Sequence, residues 1–127
     1  MIVTRLADLI GTDRDVRDDV WASRRFILAE DGAGFTLTET TVEAGATQVM
    51  WYKHHLEANC VIEGTGEVEN LATGEVHPLA PGTMYALDQH ERHRMIAFTA
   101  MRIVCVFVPP LTGRETHDAD GSYNPME

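Results

Sequence analysis

A chain of 127 residues is the size of one ordinary domain, and although 44% of it is hydrophobic, no apolar run approaches the roughly 20 residues that cross a bilayer. Twenty acidic against ten basic residues leave a formal charge of −10, which repels phosphate backbones and anionic headgroups and excludes nucleic acid and membrane as expected partners. Two cysteines, Cys60 and Cys105, are too few for a disulfide framework and lack CxxC spacing; with a start, Met1-Ile2-Val3-Thr4-Arg5, unlike a secretory signal, they point to the cytoplasm.

Along the chain, helical periodicity is confined to a short stretch near Leu6 to Ile10. Trp21 and Arg25 follow, one helical turn apart or on the same strand face as Ser23. The planar fork of Arg25 suits a substrate carboxylate, while an Arg stacked on Trp at the surface is the plainer alternative. Beyond them, segments rich in β-branched and aromatic residues recur between glycine-bearing turns, and the chain reads as all-β. Strands are predicted at 24–29, 36–42, 48–53, 58–63, 67–70, 75–79, 83–86, 94–98 and 101–108. Turns fall at Asp31-Gly32-Ala33-Gly34, Ala44-Gly45-Ala46, Glu63-Gly64-Thr65-Gly66, Ala72-Thr73-Gly74 and Ala80-Pro81-Gly82. That spacing suggests an antiparallel barrel or jelly roll.

Within the strand at 48–53 and its continuation to Glu57, alternation sends Lys53, His55 and Glu57 to one face and Tyr52, His54 and Leu56 to the other. If the first face is the interior, its imidazole and carboxylate must be paired, hydrogen-bonded or bound to metal. A solvated strand face accounts for the same pattern. Next, the strand bearing Tyr85 precedes a polar turn containing His90 and His93. Carboxylate, phenolate and imidazole together form a donor set better suited to iron than to structural zinc; a buried tyrosine with surface histidines is the alternative.

The strand at 101–108 puts Ile103, Cys105 and Phe107 on one face, where Cys105 by itself reads as a small core residue. Residues 112–127 form a polar tail, either a frayed terminus or a lid, in which Glu115 and His117 are spaced as an acid/base pair requires.

The block from Gly45 through His55-Leu56-Glu57 to Glu63-Gly64-Thr65-Gly66, then Gly74 and Ala80-Pro81-Gly82-Thr83-Met84-Tyr85, resembles the paired motifs of the cupin superfamily, with Tyr85 where a histidine is usual. Trp21-Ala22-Ser23-Arg24-Arg25, Trp51-Tyr52-Lys53, Val104-Cys105-Val106-Phe107 and the tail Pro109-Pro110-Leu111-Thr112-Gly113-Arg114-Glu115 with His117-Asp118 narrow the resemblance to ectoine synthase, over nearly the whole chain. Thr38, Asn59-Cys60-Val61 and Val108 depart from that family's usual residues.

The resemblance implies one cupin-type domain over 1–127, with 112–127 as a lid, and a homodimer. It implies that Glu57, Tyr85 and His93 hold iron(II), with zinc or another divalent ion as alternatives, and that Trp21, Arg25, Thr40, Tyr52, Cys105, Phe107, Glu115 and His117 line a pocket for a small-molecule substrate. The reaction implied is cyclocondensation of N-γ-acetyl-L-2,4-diaminobutyrate to ectoine with release of water, with Tyr52, Glu115 and His117 as candidates for the proton transfers. A cupin acting on a related amide or amino acid, and a cupin that binds a small molecule without turnover, are the competing readings.

Overall fold

The computed structural model describes residues 1–115 and Ser122. One helical turn, α1 (Leu6–Leu9), precedes ten strands: β1 (Asp15–Arg17), β2 (Trp21–Ile27), β3 (Thr36–Val42), β4 (Thr47–Met50), β5 (Leu56–Glu63), β6 (Gly66–Asn70), β7 (Val76–Leu79), β8 (Met84–Ala86), β9 (His93–Ala97) and β10 (Met101–Val108). They form two antiparallel sheets, of order β1-β2-β3-β10-β5-β8 and β4-β9-β6-β7.

Strict alternation fixes which side of each strand faces the other sheet. In β10, Met101, Ile103, Cys105 and Phe107 are buried while Arg102, Val104 and Val106 lie on the outer face. Glu57, Asn59 and Val61 of β5 share the inner face, and Val68, Met95 and Ala97 close over them from the second sheet. Two glycines make the tight exit from β5 possible. Gly64 has a positive φ, and a side chain there would drive its Cβ into the carbonyl of Ala100.

Every segment read as a strand from the sequence forms one, with ends displaced by a few residues, and β1 is an addition. One displacement matters for function. The fourth strand stops at Met50 rather than residue 53, and 51–55 run as irregular chain. The alternation expected through that stretch therefore fails. Tyr52 is buried in the core together with His55 and Glu57, not turned away from them, and Lys53 lies half-buried with its ammonium over the Trp51 ring at 5.0 Å. An imidazole brace holds the loop in place: Nδ1 of His90 lies 2.9 Å from the Tyr52 carbonyl and 3.1 Å from that of His55.

On the outer face of the large sheet the Arg24 guanidinium forks onto Glu39 at 2.9 Å, both nearly buried. Arg24 stands directly opposite Glu39 in the β2–β3 register, so the pair ties the two strands together.

Candidate functional site

A cavity opens between the sheets. Trp21, Thr40, Tyr52, Glu57, Tyr85, Cys105 and Phe107, seven of the residues singled out from the sequence, line it together with Ser23, Thr38, Asn59 and an apolar wall of Met50, Met95 and Ile103. Inward alternation on β2, β3, β5, β8 and β10 gathers residues far apart in sequence, and the edge-on packing of Tyr52 against Phe107, centroids 5.3 Å apart, closes one side.

Glu57 is only 6% exposed, and its Oε1 accepts a hydrogen bond from Asn59 Nδ2 at 3.0 Å. Burial pushes its carboxyl up to about 7, against a smaller downward pull from Asn59. Burial likewise holds the Tyr85 phenol well above its ordinary range, reinforced by Glu57 and Cys105. His93 of β9, 1% exposed, is held on the neutral side by burial, against an opposing pull from the Glu91 carbonyl and side chain. Its ring lies 6.5 Å from that of Tyr85 and 6.3 Å from that of Tyr52.

His93 Nδ1 lies 3.0 Å from the Glu91 carbonyl, which can only accept, so Nδ1 carries the hydrogen and Nε2 presents its lone pair. Nε2 is buried and has no hydrogen-bond partner among the described residues. An imidazole anchored through one nitrogen with the other left bare is the arrangement of a metal-ligating histidine. The chemistry of Glu57 and Tyr85 agrees, since two oxygen acids forced toward neutrality by burial are what a cation would return to their anionic forms. No three His, Cys, Asp or Glu side chains among the described residues converge on a site that could hold a metal ion.

Arg25 does not line the cavity directly. It is 3% exposed, stands opposite Thr38 in the β2–β3 register, and donates from one terminal nitrogen to the Gly113 carbonyl at 3.3 Å; its buried Nε has no partner among the described residues. Its burial rules out the surface Arg–Trp stack considered from the sequence. Glu115 stands two residues beyond Gly113, in the chain segment that follows β10. Burial raises its carboxyl, but donors outweigh burial and leave it below the ordinary range: the Thr112 backbone N–H at 2.7 Å, the Thr112 hydroxyl at 2.8 Å and the Gly113 N–H at 2.9 Å. His117 lies outside the described residues. Beyond it, the buried Ser122 hydroxyl accepts from the Lys53 N–H at 2.9 Å, so the tail touches the loop that carries Tyr52.

Cys105 donates weakly to the Thr40 hydroxyl at 3.6 Å, and burial, with Glu57 nearby, pushes its thiol up to about 12. It is a wall of the cavity, not a nucleophile. Sequence reasoning passed over Ser23 and gave no role to Asn59 or His90. The inward parity of Ser23 with Trp21 and of Asn59 with Glu57 was the available signal for the first two; His90 acts across 35 residues of chain and left none.

The ectoine synthase family model matches residues 1–127. The L-ectoine synthase of Desulfatibacillum aliphaticivorans is 52% identical over 125 residues, covering 97% of this chain and 96% of that protein. That of Mycolicibacterium vanbaalenii is 54% identical over 123 residues, covering 97% and 95%. Among solved structures, the ectoine synthase from P. lautus superimposes with a TM-score of 0.90 at 48% identity over 100% of this chain and 91% of that one. An RmlC-like cupin from Shewanella frigidimarina, with a TM-score of 0.63 at 16% identity over 75% and 81%, shares the fold.

Proposed function

The chain belongs to the ectoine synthase family, and from that membership we propose that it runs the family's reaction in the cavity between its sheets, around one divalent metal ion held by Glu57, Tyr85 and His93. The reaction closes N-γ-acetyl-L-2,4-diaminobutyrate into ectoine. The free α-amine bonds to the acetamide carbon, the carbon–oxygen bond breaks, and the oxygen leaves as water while a cyclic amidine remains.

An acetamide is a poor electrophile and an ammonium is no nucleophile, so the site must activate both and keep bulk water from diverting the intermediate. When bound, iron(II), or zinc or another divalent ion in its place, supplies Lewis-acid polarisation of the acetamide oxygen. Arg25, which shares the inward parity of Trp21 and Ser23 on β2 but stands behind the cavity lining, is the group that would reach the substrate carboxylate with the donors it does not spend on Gly113. Trp21, Met50, Ile103 and Phe107 hold the carbon chain folded back, so that amine and carbonyl meet as neighbours, and the same apolar wall excludes water.

For the proton transfers Tyr52 is better placed than Glu115. Its hydroxyl lies in the cavity with the Met50 sulfur at 3.4 Å as a weak acceptor, whereas the Glu115 oxygens are occupied by the turn at Thr112 and Gly113. Tyr52 passes a proton to the departing oxygen, with Glu115 and His117 as the other candidates for the proton work. Thr38 and Thr40, their hydroxyls 3.5 Å apart, give the β3 part of the cavity wall its polar character and position the amine.

We place the protein in the cytoplasm as a homodimer. Two features support pairing: β8 is an edge of the large sheet with Met84 exposed, and Met1, Ile2 and Val3 are exposed apolar residues ahead of α1.

The observation that carries the metal reading is the anchored, bare imidazole of His93. Its test is the metal content of the purified protein beside the Glu57→Ala and His93→Ala variants. One equivalent in the parent and little in either variant supports the reading, and equal content in all three overturns it.

A further inference from the structure

The two sheets do not close on every side. β7 is the edge of one and β8 the edge of the other, and no ladder joins them. The seam between them is a second cavity, distinct from the one that holds Glu57. Its walls include Asn70, Glu75, His77, Tyr85, Glu91 and His93. Tyr85 borders both cavities, so the three donors proposed for the metal sit on the partition between them: Glu57 faces the interior, His93 faces the seam, and Tyr85 faces both.

His77 stands opposite Val68 in the β6–β7 register and two residues before the buried Leu79, which gives it the inward face of β7; Glu75 has the same parity. On a closed barrel those positions would carry apolar side chains. Here they carry an imidazole and a carboxylate 3.3 Å apart, 62% and 67% exposed because no strand covers them. The same cavity is lined by the almost fully buried His93, whose Nε2 has no hydrogen-bond partner among the described residues.

Resting on the metal reading above, we infer that this seam is the port through which a divalent ion reaches its site, with Glu75 and His77 as the pair that captures it. A hydrated cation taking the other way in would pass the apolar wall of Trp21, Met50, Ile103 and Phe107, where, among the described residues of the lining, the neutral Ser23, Thr38, Thr40 and Gln48 are set about it and the one carboxylate, Glu57, belongs to the metal site itself. The seam replaces hydration stepwise: carboxylate and imidazole at the rim, Asn70 and Glu91 along the wall, then His93. Two donors at an exposed rim bind weakly enough to release, as a relay requires. A chain of net charge −10 draws cations toward it.

The port is tested by uptake kinetics rather than turnover. Metal-free protein is mixed with zinc(II), and separately with iron(II) under anaerobic conditions, in a stopped-flow instrument that follows intrinsic tyrosine and tryptophan fluorescence. The parent is compared with the double variant Glu75→Gln/His77→Gln and with Asp8→Asn, which changes the net charge equally from α1, an element packed on β2 of the other sheet. The double variant should take up metal roughly tenfold more slowly, with unchanged final stoichiometry and unchanged turnover once loaded, and Asp8→Asn should match the parent. Uptake by the double variant within twofold of the parent, or equal slowing by Asp8→Asn, overturns the port and leaves the metal site standing. Failure of the parent itself to bind either ion removes the metal site and the port together.

Discussion

Asn59 donates a hydrogen bond to Glu57 at 3.0 Å from two residues along the inner face of β5, and it only partly relieves the burial of that carboxylate. Without metal, folded Glu57 titrates near 7 against 4.5 for an ordinary glutamate. The folded chain therefore keeps a proton that the unfolded chain has lost, and stability falls as pH rises from about 4.5 to about 7. Glu57→Gln removes that cost. Thermal melts of metal-free protein at pH 8 should show the variant more stable by on the order of 1–3 kcal/mol, with the advantage vanishing near pH 4, while metal no longer raises its melting temperature. A less stable variant at pH 8 would show that Glu57 is structural.

Tyr85→Phe separates ligand from packing, since it deletes one oxygen and keeps the ring against His93. Equilibrium dialysis should show metal affinity weakened by about a hundredfold, with the melting temperature of the metal-free protein nearly unchanged. Parent-like affinity would remove Tyr85 from the ligand set.

Of this site, the sequence showed best what lies on continuous strands. Ile103, Cys105 and Phe107 fall on the inner face of β10 as alternation requires. Parity failed where the chain leaves the ladder: residues 51–55 are irregular, and Tyr52 turns inward because His90 braces the loop from 35 or more residues away. His93 could be told from His90 as the candidate donor only through family resemblance, since its meeting with Tyr85 depends on two sheets closing on each other. β1 escaped notice because Asp15-Val16-Arg17 has one β-branched residue and is a strand only by pairing with β2. The Arg24–Glu39 tie was equally hidden, two charges with nothing local to say that they would be buried together.

Arg25 carries a buried charge whose one acceptor among the described residues is the Gly113 carbonyl. Arg25→Lys keeps the charge and loses the fork. Steady-state kinetics should show kcat/KM reduced by about 10- to 100-fold, from loss of one or two charge-assisted hydrogen bonds, mostly through KM. An unchanged KM would mean that Arg25 holds the turn at Gly113 and does not touch the substrate.

Cys105 is buried with its thiol pushed up to about 12, while Cys60 is half-buried on the outer face of β5. Iodoacetamide at pH 8 should label Cys60 first and leave activity intact, as peptide mapping beside an assay will show. Rapid labelling of Cys105 with matching loss of activity would contradict its assignment as a wall.

The central claim is metal-dependent ring closure, and its most direct test is anaerobic incubation of the protein with N-γ-acetyl-L-2,4-diaminobutyrate, with ectoine followed by chromatography. Iron(II)-loaded, metal-free and reloaded samples are run side by side. Ectoine in the loaded and reloaded samples, and almost none in the metal-free one, is the predicted result. Equal product from metal-free protein would contradict the metal's part in the reaction, and no product from folded, loaded protein would contradict the reaction itself.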